Sequence, residues 1–370
     1  MKPKILLISD FAFPVTAGTE RLVFGIADYF TNKLGIQTDI LCPDWNNRGL
    51  FEEQSNVKIY RFKTHPITSS KPVKRIIDFV KKSVELQKYD IYHGFYTAPS
   101  LVSTVLSAKL RGAKSVITIF GREQISAQLT NPLKKQLVLS TLNSANAVTA
   151  YTWNVKDYLK PLFPKKEIQV TTGFVEKKFF TQQTQNQKEK TILFVGRMTQ
   201  EKGIFILLEA FANLIKQTQA KLVLIGPPYQ KELVEKKIQE LSLEKNVSLL
   251  GFVSDKELND WYNKASIVAV PAIFSDSFGL SLMEAIACKK PVVSTDSLGI
   301  PGITGEVIVQ KNDPKSLEKA LFRLFTDEKF YKEACLASEQ MASYFDKDNA
   351  MNAYVEIYSK VLQTNLNAST

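Results

Sequence analysis

Histidine and cysteine are scarce in this chain. Its 370 residues include only His65 and His93, and three cysteines, Cys42, Cys288 and Cys335, set far apart. That leaves almost no material for a structural zinc site or a serine-protease-like triad, and it reads the cysteines as free thiols of a reducing compartment. Long apolar runs are also missing. The best, Leu101–Ala108, is interrupted by Ser103, Thr104 and Ser107, well short of the ~18–20 apolar residues that cross a bilayer. The apolar stretch at residues 4–9 is too short for a signal-peptide core, so the expectation is a cytoplasmic protein. No Walker loop and no Gly-x-Gly-x-x-Gly occurs, which argues against NTPases and dehydrogenases. RNP boxes and paired Cys/His fingers are absent as well, so no nucleic-acid partner is expected.

What is present has an ordinary globular composition, 44% hydrophobic and 23% charged. The length suits two domains. Charge divides them: residues 1–185 carry 26 Lys/Arg and 14 Asp/Glu, against 22 and 23 in residues 186–370. A basic half beside a neutral half points the first toward something anionic.

Short β-branched or apolar runs at Lys4–Ser9, Thr38–Cys42, Val57–Phe62, Ile91–His93 and Ser115–Ile119 read as strands, with helical periods between them. The second half repeats the pattern at Thr191–Val195, Lys221–Ile225, Val247–Leu250, Ile267–Val270 and Pro291–Ser294. Two successive β-α arrays imply two doubly wound parallel sheets, with a ligand in the cleft between them. The polar stretch 181–190 reads as the linker. The domains are then 1–180 and 191–345, followed by a C-terminal helix within 346–370 packing back toward the first.

Three segments carry chemistry. In Val195–Gly203 (VGRMTQEKG) a strand ends and Arg197 and Lys202 follow, two cations at one strand-to-helix turn that would hold a pyrophosphate; a solvated basic loop is the plainer alternative. In Ser275–Val293, Asp276 and Glu284 flank Phe278, Gly279 and Leu280 at a helix start, which suits a phosphate at the helix end and hydroxyls on the acids. Capping and an exposed helix glutamate explain the two acids equally well. In Asp10–Val23, Gly18 opens the first helix and permits close backbone approach. Asp346-Lys347-Asp348 resembles a metal-binding Asp-x-Asp, but it begins a helix and reads better as a cap.

Together these segments resemble the family 4 glycosyltransferases, retaining enzymes of the GT-B fold. The pattern is carried by Gly196, Arg197, Glu201, Lys202 and Gly203, then by Asp276, Phe278, Gly279, Leu280 and Glu284. LIGPP (Leu224–Pro228), GFVS (Gly251–Ser254), GIP (Gly299–Pro301) and TGEV (Thr304–Val307) follow in the expected order.

The resemblance implies roles. Arg197 and Lys202 would hold the donor diphosphate, Glu284 the ribose, and Asp276 with the backbone of Phe278–Leu280 the sugar and phosphate. Val253 would lie near the nucleobase and Gly18 would close over the diphosphate. It implies a UDP- or GDP-sugar donor, with UDP slightly preferred, no cofactor and no metal. The leaving diphosphate would help deprotonate the acceptor on the same face. The chain departs from the family at Asp276, where glutamate is usual, at Ala17 before Gly18, at Phe120, where histidine is usual, and at Phe95, which leaves His93 alone of a His pair. His93 and Phe120 are the acceptor-side candidates, and a buried structural role is the alternative for His93.

The expected acceptor is a glycan or a lipid-linked one, with cell-envelope or polysaccharide synthesis as the setting. Basic residues interleaved with apolar ones in two segments, Lys71, Lys74, Arg75, Lys81 and Lys82, then Lys134 and Lys135, suit an anionic membrane surface. A core-packed helix with a basic rim fits the same pattern. A non-catalytic sugar-nucleotide-binding protein and a GT-B epimerase are the alternative functions.

Overall fold

The computed structural model describes residues 2–10, 18–45, 47–65, 71–95, 98–180, 189–227, 229–273, 279–295 and 307–366. The chain forms two compact units, one of Met1–Thr172 with Ala350–Thr370 and one of Gly173–Asn349.

The first unit holds an eight-stranded sheet of β1 (Ile5–Ile8), β2 (Thr38–Pro43), β3 (Phe51–Gln54), β4 (Val57–Phe62), β5 (Ile91–Phe95), β6 (Lys114–Ile119), β7 (Ala147–Ala150) and β8 (Ile168–Val170), in the order β3-β4-β2-β1-β5-β6-β7-β8. All pairings are parallel except β3 with β4. The second unit holds β9 (Thr191–Val195), β10 (Lys221–Ile225), β11 (Val247–Gly251), β12 (Ile267–Val270), β13 (Val292–Thr295) and β14 (Ile308–Val309), all parallel, in the order β11-β10-β9-β12-β13-β14. The inner strands are continuous apolar runs because helices cover both faces of such sheets. Ile5 of β1 accordingly sits fully buried between Thr38 and Ile91.

The strand positions expected from sequence are all occupied, with ends shifted by one or two residues. Sequence reading missed four strands. β3 (FEEQ) is a charged edge strand, half-exposed, and β7 (AVTA), β8 and β14 are too short to make a periodic signal. The division between units falls at Thr172/Gly173 and not at residue 180. Val175 bridges to Asp346 and Phe179 packs edge-on against Tyr262, contacts that tie the segment after Thr172 to the second unit.

Helix ends are closed by identifiable groups. Asn131 accepts from the amides of Leu133 and Lys134 at the start of the helix Pro132–Ser144, and Lys166 Nζ donates to the carbonyls of Leu142, Asn143 and Ala145 at its end. Asp346 accepts from the amides of Asp348 and Asn349 at 2.9 and 3.3 Å, so the Asp-Lys-Asp triplet caps the last helix, Lys347–Leu362.

One sequence expectation is overturned here. Arg75, read as part of a basic surface stripe, is buried and pairs with the fully buried Asp10. On the helix Pro72–Glu85, Phe79 is buried, while Val73 and Ile77 are exposed beside Lys71, Lys74 and Lys81.

Candidate active site

In a doubly wound sheet, ligands bind outside the carboxyl ends of the strands where the order reverses. In the second unit that point lies between β9 and β12, because the chain runs from β9 outward to β10 and β11 and then returns to β12. The two loops singled out in the sequence leave these two strands.

The geometry that joins them needs glycine. Gly203 has φ +74°, and a Cβ there would lie 1.8 Å from the carbonyl oxygen of Pro271, just past β12. No side chain fits that gap. The amide of Ile273 then donates to the carbonyl of Glu201 at 2.9 Å. Beside them the ends of β9 and β10 touch: a Cβ on Gly226, at φ +132°, would lie 2.1 Å from the carbonyl oxygen of Gly196.

On this scaffold Arg197 is exposed and Lys202 is half-buried. Burial lowers the pKa of the Lys202 ammonium, and the nearby Arg197 guanidinium lowers it further, with Glu201 opposing weakly. Neither cation has an ion pair or a side-chain hydrogen bond among the described residues. The helix Ile204–Leu214 starts directly after Gly203, which puts its positive N-terminal end two residues from Lys202 in the chain. Two cations with no ion pair among the described residues and a helix N-terminus at a switch point make a site that favours an anion.

Of the second motif, Asp276 and Phe278 lie outside the described residues. Gly279 precedes the helix Leu280–Ala287, whose N-terminus, beginning at Leu280, has no side-chain cap from Gly279. Glu284 is on the buried face of this helix, 4% exposed, and its Oε2 accepts a 2.8 Å hydrogen bond from the hydroxyl of Tyr262. An exposed helix glutamate is therefore not what this residue is.

Sequence reading missed Tyr262, since one tyrosine among the apolar positions of a helix is indistinguishable from core. Val253 is half-buried just before the helix Asp255–Lys264, which opens on a reciprocal cap between Ser254 and Glu257, and Phe252 beside it is exposed.

In the first unit the order reverses between β1 and β5. Asp10 follows β1 there. Arg75 donates to one of its carboxylate oxygens, Ser100 Oγ lies 2.8 Å from the other, and Trp45 Nε1 donates to its carbonyl at 2.7 Å. Gly18 begins the helix Gly18–Asp28. Glu20 in the first turn is buried, burial raises its pKa, and its Oε2 has no hydrogen-bond partner among the described residues.

His93 is fully buried on β5 with both ring nitrogens engaged, Nδ1 with Tyr358 Oη at 2.6 Å and Nε2 with Thr118 Oγ1 at 2.8 Å. Burial lowers its pKa to about 3. Its ring stacks on Phe95, which neighbours Phe120, itself buried against Tyr151. The two acceptor-side candidates thus belong to one aromatic cluster. His93 has no ring nitrogen left for a ligand.

Comparison with known proteins fits this geometry. The family described as Glycosyl transferases group 1 matches residues 175–340, and Glycosyltransferase Family 4 matches residues 16–177. N-acetyl-alpha-D-glucosaminyl L-malate synthase of Bacillus anthracis is 23% identical over 303 residues, 76% of this chain and 77% of that one. The gpi3 polypeptide of the phosphatidylinositol N-acetylglucosaminyltransferase of Schizosaccharomyces pombe is 23% identical over 361 residues, 92% of this chain and 77% of that one.

Among solved structures, sucrose-phosphate synthase from Thermosynechococcus elongatus superposes with a TM-score of 0.78 at 19% identity, covering 98% of this chain and 100% of that one. Anabaena HepE in complex with UDP and glucose gives a TM-score of 0.72 at 16% identity, over 97% and 100%. The chain belongs to the family 4, group 1 glycosyltransferases, and its fold is GT-B.

Proposed function

We propose that this glycosyltransferase moves a sugar from a nucleoside-diphosphate sugar, with retention of anomeric configuration, to a glycan or lipid-linked acceptor. One observation carries the donor reading: Arg197 and Lys202 stand together at the sheet's switch point with no ion-paired acid among the described residues. A leaving diphosphate gains charge in the transition state, and fixed cations with a helix N-terminus stabilise that charge. On this reading Glu284 takes the ribose and Val253 lies near the base. Asp276, with the Phe278–Leu280 segment, meets the sugar and phosphate.

Arg197, Lys202 and the two helix N-termini supply positive potential that a metal would otherwise supply, which supports metal-independent transfer. UDP is the first donor base to try, since HepE was solved with UDP and glucose. The names of relatives include a phosphatidylinositol-directed and a diphospho-undecaprenol-directed transferase, which supports a lipid-linked acceptor and a role in envelope or polysaccharide synthesis. The pairs Val73/Ile77 and Leu133/Leu137, exposed at helix starts beside Lys71, Lys74, Lys134 and Lys135, support contact with an anionic membrane face.

The test is a panel of UDP-, GDP- and ADP-sugars incubated with glycan and polyprenyl-linked acceptors, read by mass and by the anomeric proton of the product. An axial-to-axial outcome is expected, at full rate in EDTA. Inversion would remove the retaining mechanism. Nucleotide binding with no product over the panel would favour the non-catalytic alternative.

A further inference from the structure

We propose that Tyr262 is a positioning residue that fixes the carboxylate of Glu284 for a ribose diol, and thereby makes the site selective for ribonucleotides over 2′-deoxyribonucleotides. The proposal rests on the reading that Glu284 faces the donor's ribose.

The argument begins with burial. A carboxylate that is 4% exposed, on the inner face of the helix Leu280–Ala287, must be held by hydrogen bonds or be costly to keep charged. Tyr262, fully buried on the neighbouring helix Asp255–Lys264, donates to Glu284 Oε2 at 2.8 Å. The same hydroxyl lies 3.2 Å from the carbonyl oxygen of Ser281, one turn earlier on the Glu284 helix, so a single O–H faces two acceptors of that helix, with the carboxylate the nearer.

The ring itself is locked. Phe179 packs edge-on against it, with centroids 5.7 Å apart. Burial and the adjacent Glu284 charge keep the phenol far from ionising, so it remains a donor at any working pH.

The consequence is directional. With Oε2 fixed by Tyr262, the carboxylate cannot swing about its last torsion, and its plane is set before a ligand arrives. A carboxylate bonds both hydroxyls of a diol only in one orientation. Removing the phenol O–H leaves the charge and the packing but loosens the orientation of Oε2, so the loss falls on the ligand hydroxyls and not on the base or the phosphates. The helix that carries Tyr262 starts at Asp255, two residues after Val253, so the base-side and ribose-side groups are joined by a short stretch of chain through the Ser254 cap.

Calorimetric titration of the intact protein with UDP and 2′-deoxy-UDP, or the GDP or ADP pair where that base binds more tightly, tests this. The wild type should prefer the ribonucleotide by roughly 10-fold or more, since a charge-assisted hydrogen bond is lost with the 2′-hydroxyl. Tyr262→Phe should lose most of that preference through weaker ribonucleotide binding, with the 2′-deoxy affinity nearly unchanged. Glu284→Asp withdraws the carboxylate by one methylene with Tyr262 intact, and should lose the same preference even where Tyr262→Phe does not fold. A purely structural Tyr262 would lower Tm and weaken both nucleotides equally, leaving the ratio intact, and that result overturns the proposal. A wild type that binds the diphosphate without preferring ribose also overturns it. Failure of the wild type to bind any nucleoside diphosphate would instead bring down the donor reading itself.

Discussion

The amide of Ile273 donates to the carbonyl of Glu201 at 2.9 Å, and by that bond the loop leaving β12 rests on the turn that carries Lys202. Two motifs about seventy residues apart thereby share one backbone frame. The frame exists because Gly203 allows contact with Pro271 that no other residue could make.

That contact makes glycine replacements unequal. Gly203→Ala forces a Cβ against the Pro271 carbonyl at a left-handed φ, and it should lower stability by ~3 kcal/mol or more and abolish nucleotide binding. Gly251→Ala, at φ +66° with nothing within 4 Å, should cost only ~1 kcal/mol, the conformational penalty alone. Urea unfolding of the two variants checks the contrast. Equal losses would mean that the close approach does not matter.

Lys202 is held near Arg197 at some cost to the unliganded protein. Lys202→Met removes a partly desolvated charge and its repulsion by Arg197, so Tm without ligand should hold or rise, while UDP affinity falls at least about tenfold. Because burial and Arg197 lower its pKa, Lys202 loses its proton at a lower pH than an ordinary lysine. Diphosphate binding should therefore weaken on the alkaline side earlier in the wild type than in Lys202→Arg. Identical alkaline profiles would show that Lys202 does not meet the phosphates.

His93 makes an acid-side prediction. Its folded pKa of about 3 lies below the ordinary value, so the folded state takes up fewer protons than the unfolded chain. Stability from this group is complete above the unfolded pKa of ~6.5 and declines by ~1.4 kcal/mol per pH unit between there and the folded value. In His93→Gln the acid branch of the stability curve should be shallower, even though the variant is less stable at neutral pH. Parallel acid branches would remove His93 as the source.

The membrane proposal separates two kinds of basic residue on one helix. Lys71→Glu with Lys74→Glu should reduce sedimentation with anionic vesicles while leaving Tm nearly unchanged, because both are exposed. Arg75→Ala breaks the buried pair with Asp10 and should cost ~3–5 kcal/mol of stability, whatever its effect on lipid. Vesicle binding that ignores both lysines would leave a soluble acceptor as the better reading.

Much of the fold was legible because buried parallel strands print as unbroken apolar runs, and ILLI, TILFV and IVAV could be little else. Strand order was not legible, since it depends on which edges meet, and the short or charged strands β3, β7, β8 and β14 carried no period to detect. In the site, Arg197 and Lys202 were visible as a spacing of charges. The partners that give buried polar groups their meaning were not. Arg75 reads as a surface cation until Asp10, 65 positions away, is set against it. Tyr262 reads as core until Glu284 is found beneath its hydroxyl. His93 shows the same limit, since its two partners come from β6 and from the last helix.

That last pairing sets an order of assembly. His93 and Tyr358 stand 265 positions apart, and the segment Ala350–Thr370 belongs to the first unit although it follows the second in the chain. A nascent chain therefore displays the first sheet with its buried histidine held by Thr118 alone, and Nδ1 still lacking Tyr358, while the whole second unit is made. Residues 173–349 can close on themselves as they emerge. The first unit is therefore completed after the second, and a chain stopped short of Tyr358 would hold residues 173–349 whole and a first unit without the hydroxyl that meets Nδ1 of His93.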